Sequence, residues 1–388
     1  MPVRLTPFEL MEKLVSFPTV SRDSNLPLVD WVDDYLSGHG IIAHRRYSPD
    51  NQKAALFAHV GPEADGGVVL SGHTDVVPVD GQPWASDPFT VTERDDKYFG
   101  RGCVDMKGFD ALAIWALVEA NHAGVNRPLQ LALSYDEEVG CVGAPPMIAA
   151  MHERLPRADA VIVGEPSMMQ AVTGHKGGRG FDTRVVGFEV HSSIMHEGVN
   201  AIMQGARLID WANRMNARNM AATPGDLAAM FHPPWTTLHV GTITGGTAHN
   251  ITAKECRFGM DFRVVPGEEP EDWRDRYLDE VRRIEADMQT VRPEAHIEIT
   301  ETFNVPGLKP EPDGAAERLV RSVTGDNAAH VVSYGTEAGQ FQRAGYSAVV
   351  CGPGDIGQAH QPDEYITRAQ FEAGHDFMRG LLKKLRAG

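Results

Sequence analysis

The chain is predicted to fold as an α/β protein in which a smaller βαββαβ unit interrupts a larger one. Three observations carry this. At 388 residues the chain exceeds the usual single-domain size, so two hydrophobic cores are expected. Short apolar runs outside the middle of the chain each end in polar or glycine residues, the pattern of buried strands feeding functional loops. Between residues 180 and 302 the pattern changes to strand, helix, two strands, helix, strand, which is the split-βαβ order.

Thr6, Pro7 and Glu9 mark the first helix start: a capping hydroxyl, a proline at the first helical position, and a carboxylate three residues after the cap. That helix is expected to reach about Val15. Val68-Val69-Leu70 then leads into Ser71-Gly72-His73-Thr74-Asp75, and an apolar helix to about Ala120 follows Asp105. The run 129–135 leads into Asp136-Glu137-Glu138, and Ala160-Val161-Ile162-Val163 into Gly164-Glu165-Pro166. Ala348-Val349-Val350 continues through Gly352-Pro353-Gly354 towards His360. In open α/β sheets ligands bind beyond the carboxyl ends of strands, which is where these acids and histidines fall.

Inside the insertion, strands are expected over 181–190, 236–244, 255–265 and 296–302, with helices over 200–218 and 269–288. Gly174, Gly177, Gly178 and Gly180 cluster at its entry, where a flexible crossing fits. The exit lies near Phe303-Asn304-Val305-Pro306. The expected domains are 1–179 together with 304–388, and 180–303.

Hydrophobic content of 42% and charged content of 23% are those of an ordinary globular protein. Thirty-six basic and 53 acidic side chains give a formal charge of −17. That charge repels phosphate backbones and anionic lipid, so nucleic acid is not an expected partner. The longest apolar stretch, around 111–118, is far short of the ~20 residues that span a bilayer. Glu9, Glu12 and Lys13 leave no room for a leader core of ~7–15 apolar residues, so no export is expected. Cys103, Cys141, Cys256 and Cys351 show no Cys-x-x-Cys spacing and are expected as reduced, buried thiols of a cytoplasmic protein.

His73 and Asp75 are two positions apart on an extended segment, so one can bind a metal while the other orients it; a hydrogen-bonded loop pair is the alternative. Asp105 precedes an apolar helix, where it can act as an N-cap or, with two oxygens, bridge two ions. Glu137 and Glu138 are adjacent acids that repel unless positive charge compensates. A metal beside one and a reacting water beside the other would do so; an exposed acidic loop is the alternative. Glu165 and His360 complete a set of two histidines and three carboxylates, donors that suit zinc, cobalt or manganese rather than calcium. No Gly-x-Ser-x-Gly elbow is present, and Ser192-Ser193 lacks its glycines.

His73-Thr74-Asp75, the run Gly100-Arg101-Gly102 to Asp105-Met106-Lys107-Gly108, Glu137-Glu138, Gly164-Glu165-Pro166 and Ala359-His360 together resemble the signature motifs of the M20 metallopeptidase and deacylase family. The likeness spans essentially the whole chain. It implies a zinc-peptidase-like catalytic domain, with a mixed sheet flanked by helices, and makes the insertion a lid and dimerisation domain. It also implies two divalent ions, zinc or else cobalt or manganese. His73 and Glu165 would bind one, Glu138 and His360 the other, and Asp105 both. Asp75 would orient His73, and Glu137 would be the general acid/base towards a bridging water.

His191, in His191-Ser192-Ser193 ahead of Gly198-Val199-Asn200-Ala201, resembles the family's histidine that polarises the scissile carbonyl. His196 lies nearby and reads as a surface histidine, and Met195 stands where the family commonly has proline. Asn250 and Arg263 match lid positions associated with substrate contacts, the planar fork of arginine suiting a carboxylate. A homodimer through the lid is a further implication.

Gly335-Thr336-Glu337-Ala338-Gly339-Gln340-Phe341 and Cys351-Gly352-Pro353-Gly354 look most like the acetylornithine deacetylase branch. That likeness implies N-acetyl-L-ornithine as the small-molecule substrate, acetate and ornithine as products, and a place in arginine biosynthesis. Deacylation of another N-acyl amino acid such as succinyl-diaminopimelate, or dipeptidase or carboxypeptidase activity, is the rival within the family. A non-catalytic metal-binding scaffold is the rival of another class, and it would not require Glu137. Glu337, after Val331-Val332, is expected at the pocket rim, pairing the substrate's terminal ammonium while Arg263 takes its carboxylate.

Overall fold

Thr6 and Glu9 close a capping box at α1 (Pro7–Val15), each side chain taking the other's backbone N–H. The structure, a computed structural model, describes residues 3–387. Its other α-helices are α2 (Leu26–Gly38), α3 (Lys107–Ala123), α4 (Ala144–Arg154), α5 (Ala201–Ala221), α6 (Pro270–Gln289), α7 (Ala315–Thr324), α8 (Ala338–Arg343) and α9 (Arg368–Ala387). The strands are β1 (Ala43–Tyr47), β2 (Ala54–Val60), β3 (Val68–His73), β4 (Thr92–Arg94), β5 (Lys97–Phe99), β6 (Leu129–Ser134), β7 (Ala160–Pro166), β8 (Val172–His175), β9 (Gly177–Val186), β10 (Thr237–His239), β11 (Ile243–Gly245), β12 (Glu255–Val264), β13 (His296–Val305), β14 (His330–Val332), β15 (Ser347–Gly352) and β16 (Tyr365–Thr367). No helix among the described residues is long and apolar enough to cross a membrane.

The chain divides into two units, one running to Gly174 and resuming over Leu308–His330 and from Thr336, the other comprising His175–Gly307 and Val331–Gly335. The first is built on a mixed sheet of order β1-β2-β6-β3-β7-β15-β8-β14. Its centre, β6-β3-β7-β15, is parallel, while β2 runs antiparallel to β6 and β1 antiparallel to β2. β3, β6 and β7 are buried along their whole length, which is why they read as unbroken apolar runs rather than alternating ones. One core joins the sheet to α1, α2, α3 and α9, including Leu10, Val32, Leu70, Leu112, Leu131 and Leu381.

The second unit is an antiparallel sheet of order β10-β12-β9-β13, with β11 also on β12. Phe181, Phe258 and Phe262 pack with Trp211 of α5 and Tyr277 of α6 in a separate core. The strand expected over 236–244 is two strands here. His239 faces Asp261 and Ile243 faces Phe258, so four steps of one chain match three of the other. The extra residue breaks the alternation, as at a bulge.

Of the glycines at the expected crossing, Gly174 ends the first unit and the other three belong to a strand of the second. Gly177, Gly178 and Gly180 lie within β9, all three paired to β12 and the last two also to β13. A Cβ at Gly180 would stand 2.3 Å from the Phe303 ring, so these positions need small residues for close packing rather than for freedom.

Candidate metal centre

Because β3, β6, β7 and β15 run parallel, their carboxyl ends share one edge of the sheet. His73 is the last residue of β3, opposite Ser134 of β6. The turn after it is locked by Thr74, whose N–H and Oγ1 both donate to the Ser134 carbonyl, at 3.0 and 2.7 Å. Gly72 before it leaves space for α3: a Cβ there would stand 2.0 Å from Asp110 Oδ1.

His73 Nδ1 donates to the Asp75 carbonyl at 2.9 Å, which points Nε2 at two acids. Asp105 Oδ1 lies 3.1 Å and Glu165 Oε1 3.7 Å from it. His360 Nε2 lies 3.1 Å from the other Asp105 oxygen, Oδ2, and 3.0 Å from Glu138 Oε2. Asp105 thus stands between two imidazoles with one oxygen towards each. It is not the cap of α3; Met106 holds that position, with no side-chain cap bond.

Asp75 does more and something other than expected. Its carbonyl, not its carboxylate, fixes the His73 ring; the carboxylate is 3.7 Å from Nδ1, outside hydrogen-bond distance. That carboxylate instead accepts from the backbone N–H groups of Glu137 and Glu138, at 3.1 and 3.3 Å, and from Ser21 Oγ at 2.7 Å. The turn it holds begins at Asp136, whose φ of 57° is unfavourable for a non-glycine residue. An ion pair with Lys53 braces Asp136 there. Cys141, one of four free and buried thiols, donates to Glu137 Oε1 at 3.2 Å.

His73, Glu137 and Glu165 offer donor atoms within 4.8 Å of one another, and so do His73, Asp105 and Glu138. Burial pushes the Glu137 carboxyl up to about 8, opposed by His73 and reinforced by Glu138. Burial, with Asp105 and Glu137 adding, pushes Glu165 well above the usual carboxylate range. Hydrogen bonds to Asp105 and Glu138 push His360 up to about 10. Glu138 Oε1 and Glu165 Oε1 are buried without a hydrogen-bond partner. So much converging negative charge, with orphaned oxygens, is what divalent cations satisfy, and a bound cation reverses the local pKa logic. The donors fit the ions expected of them.

Glu337 is not at a rim. It is 1% exposed and accepts from Ser134 Oγ and, at 3.3 Å, from Ser71 Oγ, beneath the strand ends. A carboxylate enclosed there cannot meet a solvated ammonium, so the expected substrate contact is withdrawn. Arg101 and Glu364, which the sequence reading did not single out as functional residues, form a fully buried ion pair at 2.6 Å beside the Asp105 turn.

The remaining candidates belong to the second unit. His191 and Asn250 are neighbours there: His191 forms a β-bridge with Ile251, and the Ser192 N–H donates to the Asn250 carbonyl at 3.0 Å. Both are exposed, as is His196. The His191 ring is set by Ser193, whose Oγ lies 2.8 Å from Nδ1. Arg263, on β12, is partly exposed and pairs with Asp261 at 3.2 Å.

Known proteins share this fold and sequence. A metallo-carboxypeptidase of the M20 family from Sulfolobus solfataricus matches with a TM-score of 0.81 at 17% identity, over 99% of this chain and all of that one. A dinuclear metal-binding M20 peptidase from Bacillus subtilis matches with a TM-score of 0.63 at 12% identity, over 98% of each. In sequence, the acetylornithine deacetylase of Myxococcus xanthus is 36% identical over 92% of this chain and 91% of its own length. That of Yersinia pseudotuberculosis is 33% identical over 98% of both. Peptidase family M20/M25/M40 matches residues 69–384, a span that includes every candidate ligand just described, and the chain belongs to that family of metal-dependent amide hydrolases.

Proposed function

We propose that the protein deacetylates N-acetyl-L-ornithine, releasing acetate and ornithine, as a cytoplasmic step of arginine biosynthesis. The observation that carries the chemistry is Asp105, with one oxygen 3.1 Å from His73 and the other 3.1 Å from His360. His73 and Glu165 would hold one divalent ion, Glu138 and His360 the other, and Asp105 both. Zinc suits this donor set, and cobalt or manganese fit the same donors. Ions so held supply Lewis acidity and bring the pKa of water towards neutrality.

The residues around them do the rest. Glu137 takes the proton of the attacking water on its carboxylate and passes one to the leaving amine. Asp75 keeps Glu137 and Glu138 in register through their N–H groups, and Cys141 orients the Glu137 carboxylate. His191 polarises the scissile carbonyl, with Asn250 beside it, and Arg263 offers its fork to the substrate carboxylate.

The choice of substrate rests on the relatives that bear the acetylornithine deacetylase name and on the loops at Gly335–Phe341 and Cys351–Gly354. Four free thiols support a reducing compartment. A homodimer through the second unit is supported by the exposed apolar side chains of Ile202, Met203, Ile243 and Ile251, the third of them on the exposed strand β11. His191 would then be available to complete the partner's site.

Turnover of a panel by metal-reconstituted protein tests the reading: N-acetylornithine, N-succinyl-diaminopimelate, N-acetylmethionine and a dipeptide. The highest kcat/KM is expected for N-acetylornithine. A higher value for another member would transfer the assignment to that substrate. No turnover of any, with two ions bound, would favour the scaffold.

A further inference from the structure

Glu364 accepts four hydrogen bonds while fully enclosed. Its Oε1 takes the backbone N–H groups of Gly102, Val104 and Asp105, at 2.9, 3.1 and 3.2 Å. Its Oε2 takes Arg101 Nη1 at 2.6 Å, and both side chains of that pair are 0% exposed. Backbone N–H groups converging on one oxygen form a cradle for an anion, which a neutral side chain fills less well.

The same residues reach the other side of the centre. Arg101 Nη2 donates to Gln82 Oε1 at 2.7 Å, and Gln82 Nε2 donates to the His360 carbonyl at 3.2 Å. Arg101 Nη1 also lies 3.4 Å from the Gln361 carbonyl, and the Gly100 N–H donates to the Glu364 carbonyl at 2.9 Å. The chain from Asp105 through Glu364, Arg101 and Gln82 to His360 is therefore continuous, and it ends on two residues whose side chains meet at 3.1 Å.

Neither end is held by regular secondary structure. Asp105 lies in the turn before α3, and His360 sits at a φ of 64° with a side chain 52% exposed, so its aim depends on its backbone.

We infer that Glu364 is a positioning residue that, through Arg101 and Gln82, sets Asp105 and His360 at the separation at which they can share an ion. This rests on the ligand reading above. Partners of this kind typically govern metal affinity as well as activity.

The test is a titration of metal-free protein with zinc against a chelating competitor, alongside kcat and KM. For Glu364→Gln the expected result is affinity weaker by about 10–100-fold, with kcat restored by excess zinc and KM unchanged. A merely structural role would lower the melting temperature without that rescue. Gln82→Leu, at a partly exposed position, removes the Gln82 bonds to Arg101, Trp84 and the His360 carbonyl while leaving the Glu364 cradle in place, and should show a smaller loss in the same direction; it decides the matter should Glu364→Gln not fold. Parent-like zinc affinity in either folded variant would overturn the inference and leave the ligand reading standing. Failure of the parent protein to bind two ions would overturn both.

Discussion

His73 and His191 are held in different ways, and so are the units that carry them. His73 is 1% exposed, its Nδ1 bound to the Asp75 carbonyl and its Nε2 facing Asp105. Around it Thr74, Asp75, Ser21 and Lys53 tie one strand end to the next. His191 stands on an exposed segment, its Nδ1 set by a serine two residues away. Groups fixed and desolvated in advance lose little on binding, whereas exposed ones must be ordered by a ligand or a second copy. Replacing a candidate ligand of the first unit should therefore act through metal content, whereas replacing an exposed candidate of the second should leave the metal in place and act on substrate.

The largest effect is expected from Asp105→Ala. Its carboxylate has one oxygen towards each of the two proposed ion positions, so both ions should be lost. Turnover should fall by more than the roughly 10²–10⁴-fold that acid–base catalysis alone contributes. Metal stoichiometry beside kcat measures this, and full occupancy in the variant would remove Asp105 from the bridging position. His191→Asn should keep both ions and lower kcat by about 10²–10³-fold, the worth of one donor to a developing oxyanion. Metal loss in that variant would erase the contrast between the two units.

A smaller effect concerns stability, since the second unit holds a buried histidine of its own. Burial lowers His175 to about 4, opposed by its Nδ1 hydrogen bond to the Lys176 carbonyl. The folded chain keeps it neutral while the unfolded chain protonates it near pH 6.5. Between about pH 6.5 and 4 the unfolded state thus binds more protons, and stability falls as the pH is lowered, by a total on the order of 3 kcal/mol. Metal-free His175→Asn should accordingly lose less melting temperature than metal-free parent between pH 7 and pH 4.5. Equal losses would mean that His175 is not the group titrating.

The gathering of acids and histidines at the strand ends was legible because His73, Glu137, Glu138 and Glu165 each follow an apolar run closely, so that local pattern and chemistry coincide. The capping box at Thr6 was legible for the same reason. What the sequence hid depends on distant partners. Glu337 reads as a solvated loop acid until Ser71 and Ser134, 266 and 203 residues away, enclose it. Arg101 and Glu364 are 263 residues apart. Glu364 lies four residues after His360, and Arg101 lies within the Gly-Arg-Gly run; that proximity was the available signal. The glycines of β9 suggested a hinge because composition does not distinguish a residue that must move from one that must be small.

Glu137→Gln tests the central claim most directly, because it removes a proton acceptor while keeping the shape of the side chain. Metal content and kcat should be measured on the same preparation with N-acetylornithine. The account predicts two ions per subunit as in the parent, KM little changed, and kcat lower by about 10²–10⁴-fold. Loss of metal with activity recovered on adding zinc would make Glu137 a ligand, and parent-like turnover with both ions bound would remove it from the chemistry.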